Sequence, residues 1–300
     1  MPPSRQRFAV RSYFPAFDLQ APKNLRTVLR MLADEPGLWR PFAGGTDLMV
    51  LFEAGKLPAG KYVSLWGLKE LSGTVVTTNS VTLGALTTYA DVIAHPILRA
   101  EFPLLCRAAE ETGGAATQNR GTLGGNIANA SPAADTPPAL LVYDAELELI
   151  SARGSRQVPY ERFHSGYKVM DLKADEIIKS ITLPRGRGSW IQAYRKVGTR
   201  KAQAISKICF AAAADLDGQV IRDVRIAFGS VAPAVVRCPG VESVLRGRML
   251  DDKLPAAASL ALEHDIAPID DMRSSASYRL HVARNLLIQF VSETLLRRTH

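Results

Sequence analysis

The sequence predicts an α+β protein with mixed strands and a helical C-terminal portion. Three observations carry this. Strand-like and helix-like segments do not alternate as a regular βαβ series. A basic Pro/Gly stretch, Pro184-Arg185-Gly186-Arg187-Gly188, breaks the chain, and three strand patterns follow it. From Val241 onward the apolar spacing is helical.

Pro22 opens a helix through Ala33, with Leu25, Val28, Leu29 and Leu32 on one face and Gly37 beyond its end. A short strand, Trp39 to Ala43, runs into Gly44-Gly45. Thr46-Asp47 then stands where a helix N-cap would, ahead of Leu48-Met49-Val50-Leu51-Phe52. Gly73 to Leu86 reads as a hairpin turning at Asn79-Ser80. Helical patterns cover Tyr89–Ala94, Pro103–Glu111 and Pro132–Tyr143, and strands Glu146–Ile150 and Glu176–Leu183. Beyond the Pro/Gly break come strands at Ile191–Val197, Ile208–Leu216 and Val220–Phe228, the last two joined by an Asp217-Gly218 turn. Helices close the chain at Val241–Leu245, Leu254–Glu263 and Ala276–Leu296. The expected division is residues 1–185, with subdomains of about 1–60 and 61–185, followed by 189–300.

Composition narrows the function. Of 300 residues, 47% are hydrophobic and 22% charged, as in an ordinary soluble globular chain. No apolar run is long enough to span a bilayer, and Met1 to Gln20 has no continuous apolar stretch for a secretory signal. Cys106, Cys209 and Cys238 are scattered, without a CxxC or Cys/His cluster. That argues against an iron–sulfur cluster or structural zinc in this chain and suits a reducing cytoplasm. The net charge of +8 is dispersed, with local groups at Arg195–Lys201 and Arg297-Arg298. Without a basic block interleaved with aromatics, nucleic acid is not the expected partner.

Two glycine-rich segments carry the chemistry: Ala43-Gly44-Gly45-Thr46-Asp47-Leu48 and Arg120-Gly121-Thr122-Leu123-Gly124-Gly125-Asn126. Glycine lets a ligand approach the backbone closely, and successive N–H groups in a turn make a concave anion site. Two such segments point to a dinucleotide diphosphate gripped from both sides. The first also suits a plain helix-capping loop, and neither is the GxGxxG fingerprint of a Rossmann unit. The second continues through Asn129, Ser131 and Asp135, which offer amide, hydroxyl and carboxylate groups.

These motifs, with Tyr194-Arg195-Lys196-Val197, resemble the FAD-binding medium subunit of molybdenum hydroxylases, the xanthine dehydrogenase and carbon monoxide dehydrogenase groups. The resemblance runs from about Phe14 to the C-terminal helix. It implies a two-subdomain FAD-binding domain of the vanillyl-alcohol-oxidase type, then a C-terminal domain with a three-stranded antiparallel sheet and helices. Ala43, Gly44, Gly45, Thr46, Asp47 and Leu48 would hold the FAD pyrophosphate, and Thr122, Gly124, Gly125 and Asn126 its other side. Asn129, Ser131 and Asp135 would reach the sugar hydroxyls, and Ile178 would pack on the ring system or adenine. Arg195 or Lys196 would place a cation near the flavin.

The resemblance further implies an electron relay with no protein nucleophile. It would take electrons from a 2Fe–2S small subunit, serve a molybdopterin-binding large subunit, and deliver electrons to NAD or another acceptor. Some relatives carry an inserted loop with cysteines for a 4Fe–4S cluster; those cysteines are missing here. The glycine segments hold no His or Cys, so the FAD is expected to be noncovalent. The alternative is a stand-alone flavin oxidase or reductase of the same fold.

Overall fold

The structure is a computed structural model describing residues 17–200 and 203–296. The residues before Phe17, Lys201 and the Arg297-Arg298 pair lie outside it.

The first layer consists of β1 (Phe17–Gln20), α1 (Leu25–Asp34), β2 (Trp39–Phe42), α2 (Thr46–Glu53) and β3 (Gly60–Ser64). β3 is the central strand of a parallel sheet ordered β1-β3-β2. The expected division near residue 60 therefore cuts through this sheet, because its middle strand is the last in sequence. α1 starts at Leu25 rather than Pro22, since the Asn24 side chain caps it by accepting the Thr27 N–H at 2.9 Å. Leu25, Val28, Leu29 and Leu32 are its buried face. They pack with Trp39, Val63, Leu65 and Leu71 into a small core.

The second layer holds β4 (Thr74–Val76), β5 (Ser80–Gly84), α3 (Tyr89–Ala94), α4 (Pro96–Glu101), α5 (Pro103–Glu110), α6 (Ala115–Gln118), α7 (Leu123–Asn129) and α8 (Pro137–Val142). It continues with β6 (Glu146–Ser151), β7 (Gly154–Pro159), a small hairpin β8 (His164–Gly166) and β9 (Val169–Met170), and β10 (Ile177–Pro184). Five of these strands form a sheet ordered β4-β5-β10-β6-β7. The helices pack against it through Val92, Leu98, Leu105, Ile127 and Leu140. β7 escapes sequence reading because only Val158 of its six residues is buried, which leaves no alternation to detect.

The third layer is β11 (Ile191–Val197), β12 (Ile208–Asp217), β13 (Val220–Gly229), β14 (Val236–Arg237), then α9 (Pro239–Leu245), α10 (Leu254–Asp265) and α11 (Ala276–Gln289). The sheet has four strands, not the three expected. β14 adds two residues, Val236 and Arg237, beside Phe228 and Ala227, too few to show a pattern in sequence. The β12–β13 turn sits one residue later than expected, with Gly218 at φ +58 and β13 resuming at Val220. The last predicted helix leaves α geometry at Gln289 and finishes as a wider π turn over Phe290–Leu295.

β12 is buried on both faces. Ile208, Phe210, Ala212 and Ala214 face the C-terminal helices. Cys209, Ala211 and Ala213 face the second layer, where α8 packs on β12 and β13. Alternation with period two lets one strand serve two cores, and the small side chains on one face let a helix lie close. Ala211→Leu should therefore overpack the seam and cost about 1–3 kcal/mol, read as a lowered urea midpoint with an unchanged slope.

The Pro/Gly break is fastened. Arg185 pairs with Glu101 at 2.6 Å and donates to the Thr77 carbonyl. Arg187 donates to the Tyr143 carbonyl and pairs with Asp144 at 2.5 Å. Asp144 also receives Arg237 at 2.6 Å and Arg225 at 3.5 Å from the third layer. Burial would raise the Asp144 carboxyl, but Arg237 and Arg187 overcome it and hold it below its ordinary value.

Candidate functional site

The fold brings the two glycine motifs into contact. A Cβ built on Gly44 would stand 1.6 Å from the Arg120 carbonyl oxygen, so the first motif lies against the backbone that opens the second. A Cβ on Gly125 would lie 3.6 Å from the Cβ of Ala43. Gly45, at φ +75, serves as the N-cap of α2, one residue before the Thr46-Asp47 expected from sequence. A left-handed residue is needed to swing the chain from β2 into α2, and that excludes Thr or Asp at the cap itself.

The motifs differ in what they leave open. In the first, the N–H groups of Gly44, Gly45, Thr46 and Asp47 find no acceptor among the described residues. Four successive donors without partners are groups of the kind that hold an anion. The second motif is helical rather than a loop, being the start of α7 with Thr122 as its N-cap. Its donors are already used: Leu123 N–H to Thr87 O, Gly124 N–H to Ala85 O at 2.9 Å, Gly125 N–H to Thr122 Oγ1 and Asn126 N–H to Thr122 O. Gly124 is glycine because a Cβ there would meet the Ala85 Cβ at 2.6 Å. The second motif thus offers no second row of N–H donors, and its Thr122 hydroxyl is itself taken up by the Gly125 N–H.

Asp135 and Lys196, both predicted site residues, meet each other. Their ion pair spans 2.7 Å, with side chains 10% and 6% exposed. The Lys196 ammonium also donates to the Glu111 carbonyl at 2.8 Å. The other Asp135 oxygen accepts from Ser206 Oγ at 2.6 Å and Cys209 Sγ at 3.1 Å. Both oxygens are thus engaged inside the protein, which holds the Asp135 side chain in place. Burial pushes the Cys209 thiol well above its ordinary value, so it acts here as a neutral donor.

Strand register separates Lys196 from Arg195. Lys196 stands opposite Cys209 and Tyr194 opposite Ala211, on the face turned to the second layer. Arg195 alternates to the other face and is exposed. The inward cation is Lys196.

Other predicted residues scatter around this centre. Asn126 Oδ1 accepts from Thr136 Oγ1 at 2.7 Å. Asn129 is clasped by Lys168, whose ammonium donates to its carbonyl at 2.7 Å and its side-chain oxygen at 3.0 Å. Ser131 Oγ accepts the Ala133 N–H. Ile178 is buried in the main core beneath the sheet, and Leu48 is half-buried on α2. Sequence reasoning missed Lys168; His164 stands near it, with its Nε2 3.0 Å from the Ile127 carbonyl. Burial lowers the His164 pKa from its ordinary value, favouring the neutral ring as donor to that carbonyl. Both lie on the β8–β9 hairpin, 30 or more residues from the motif they hold, so no local pattern exposes them.

Comparison with known proteins places this geometry. Residues 15–186 match the FAD binding domain in molybdopterin dehydrogenase, and residues 192–294 the carbon monoxide dehydrogenase flavoprotein C-terminal domain. The xanthine dehydrogenase FAD-binding subunit of Escherichia coli O157:H7 is 33% identical over 90% of this chain and 93% of its own length. The glyceraldehyde dehydrogenase medium chain of Sulfolobus acidocaldarius is 31% identical over 94% of this chain and 99% of its own. In structure, carbon monoxide dehydrogenase from Hydrogenophaga pseudoflava superposes with a TM-score of 0.89 at 26% identity, covering 95% of this chain and 98% of that one. The class is an FAD-binding subunit of molybdenum hydroxylase complexes. Within it, this chain belongs to the medium subunits of the xanthine dehydrogenase and carbon monoxide dehydrogenase family.

Proposed function

We propose that this chain holds FAD noncovalently at the seam of its two glycine motifs and works as the electron-transfer subunit of a molybdenum hydroxylase assembly. The single observation that carries the cofactor site is the row of unpartnered N–H groups from Gly44 to Asp47. FAD, when bound, supplies a carrier that can accept electrons one at a time and release them in pairs. The protein's own part is placement. The Gly44–Asp47 donors take the diphosphate, and α7 approaches them at Gly125, whose Cβ position lies 3.6 Å from Ala43, while Gly124 packs inward on Ala85. Thr122, Asn126, Asn129 and Ser131 line the remainder, and the Lys196–Asp135 pair closes the inner side. Ile178 supports the floor from within the core. No residue here is assigned as a nucleophile or base.

The partners in this reading are a 2Fe–2S subunit as donor and a molybdopterin-binding large subunit that oxidises the substrate, with NAD or another acceptor receiving the electrons. Multi-subunit relatives support it: the nicotine 6-hydroxylase medium subunit of Paenarthrobacter nicotinovorans is 26% identical over 93% of this chain. A cytoplasmic setting fits the three free, buried cysteines. Affinity purification of the tagged chain from its native host is the test. The expected result is one flavin per chain, together with an iron–sulfur and a molybdenum subunit, and flavin bleaching by substrate only in the assembly. A flavin-loaded chain that turns over a substrate alone would overturn the subunit reading.

A further inference from the structure

Resting on the FAD reading above, we propose that Arg120, held against Trp66, is a further FAD-binding residue of this chain, a cation that takes the diphosphate beside the Gly44–Asp47 donors.

The guanidinium carbon of Arg120 lies 3.8 Å from the centre of the Trp66 ring, the closest of the cation–aromatic pairs among the described residues. Arg120 is exposed, and its side chain forms no ion pair with a described carboxylate. Its polar neighbour is the Gly44 carbonyl, at a long 3.5 Å. The contrast with Arg187 is informative. That arginine also sits over a tryptophan, Trp190, but its charge is spent on Asp144. Arg120 keeps its charge available.

Position does the rest. The Arg120 carbonyl is the atom that Gly44 packs against, so the backbone of this arginine is fixed at the seam. The neighbouring first motif carries the unpartnered N–H row. An indole face against the guanidinium shields one side and leaves its in-plane N–H groups directed outward, the arrangement for two-pronged contact with a phosphate. An exposed arginine next to four open donors makes a local positive potential that attracts an anion. Trp66 stands two residues beyond β3 and is 38% exposed, an apolar surface accounted for by this stacking.

The test is FAD titration of the apoprotein at low and high salt, with Arg120→Gln, Arg120→Lys and Trp66→Leu. At low salt, Arg120→Gln is expected to weaken FAD binding ~10–100-fold, as for loss of a charged hydrogen bond, with the gap closing as salt rises. Arg120→Lys should recover part of the loss, and Trp66→Leu should show a smaller loss of the same salt-dependent kind. Arg120→Gln within twofold of wild type at low salt overturns the proposal. So does an equal weakening at every salt concentration with a lowered apoprotein Tm, since that is a structural staple. A wild-type apoprotein that takes up no FAD overturns the underlying cofactor reading instead, and the two failures are thus distinct.

Discussion

Gly44→Ala is expected to give a folded protein that retains almost no FAD, with affinity reduced at least ~100-fold. The physical reason is a collision: the added methyl would stand 1.6 Å from the Arg120 carbonyl oxygen and 2.5 Å from its carbon. Both atoms are backbone, so no rotamer change relieves the contact, and the motifs must move apart. That separation disrupts the donor row on one side and the α7 face on the other. The three cores centred on Val28, Leu105 and Phe210 reach the seam only at their margins, through Ala43, Ala85, Leu123 and Ile127, so far-UV dichroism and a cooperative unfolding transition should persist. Gly45→Ala is the control. Its Cβ would meet only Phe42, at 3.9 Å, but its φ of +75 penalises any side chain by about 1–2 kcal/mol. A milder, graded loss of FAD is expected there. Full flavin absorbance in Gly44→Ala would show that the motifs do not need their present spacing. Gly125→Val should also lose FAD, because its Cβ would sit 2.8 Å from the Thr122 hydroxyl that caps α7.

Lys196→Met should destabilise the folded chain by about 3–5 kcal/mol, the usual result of stranding a buried charge. The ammonium is the ionic partner of the Asp135 carboxylate, whose other oxygen has only Ser206 and Cys209. Removing it leaves a carboxylate in a site that excludes water. It also frees the Glu111 carbonyl at the end of α5, loosening the tie between β11 and the second layer. Urea denaturation measures the effect directly. The double variant Asp135→Asn, Lys196→Met should recover part of the loss, because the stranded charge is gone. A single variant within 1 kcal/mol of wild type would mean that water reaches Asp135 and that the pair does not join the layers. Arg195→Met, one residue earlier but on the exposed face, should change stability by less than about 0.5 kcal/mol.

Much of the chain was readable from local pattern. The apolar face of α1 is the one its spacing predicts, and β12 and β13 are long enough for their burial to show. The motifs and their order were sufficient to indicate the family. The failures share a cause. β1, β3, β7 and β14 are two to six residues long and derive their stability from a neighbouring strand rather than from their own sequence. Gly-Gly in the second motif reads as a loop because glycine is a poor helix former, yet Thr122 caps it and the buried Leu123 and Ile127 hold it helical.

By itself, the sequence determined the α+β class, the helical C-terminal portion, the two glycine motifs and membership of the flavoprotein family. These depend on short-range periodicity and on motif order, which one chain displays without folding. Only the tertiary structure decided that the motifs touch at Gly44 and Arg120, and that the first leaves its N–H groups open while α7 consumes its own. It also decided that Lys196 rather than Arg195 turns inward, to meet Asp135. Each depends on which groups find partners in the folded chain, and hydrogen-bond satisfaction is settled by the whole fold.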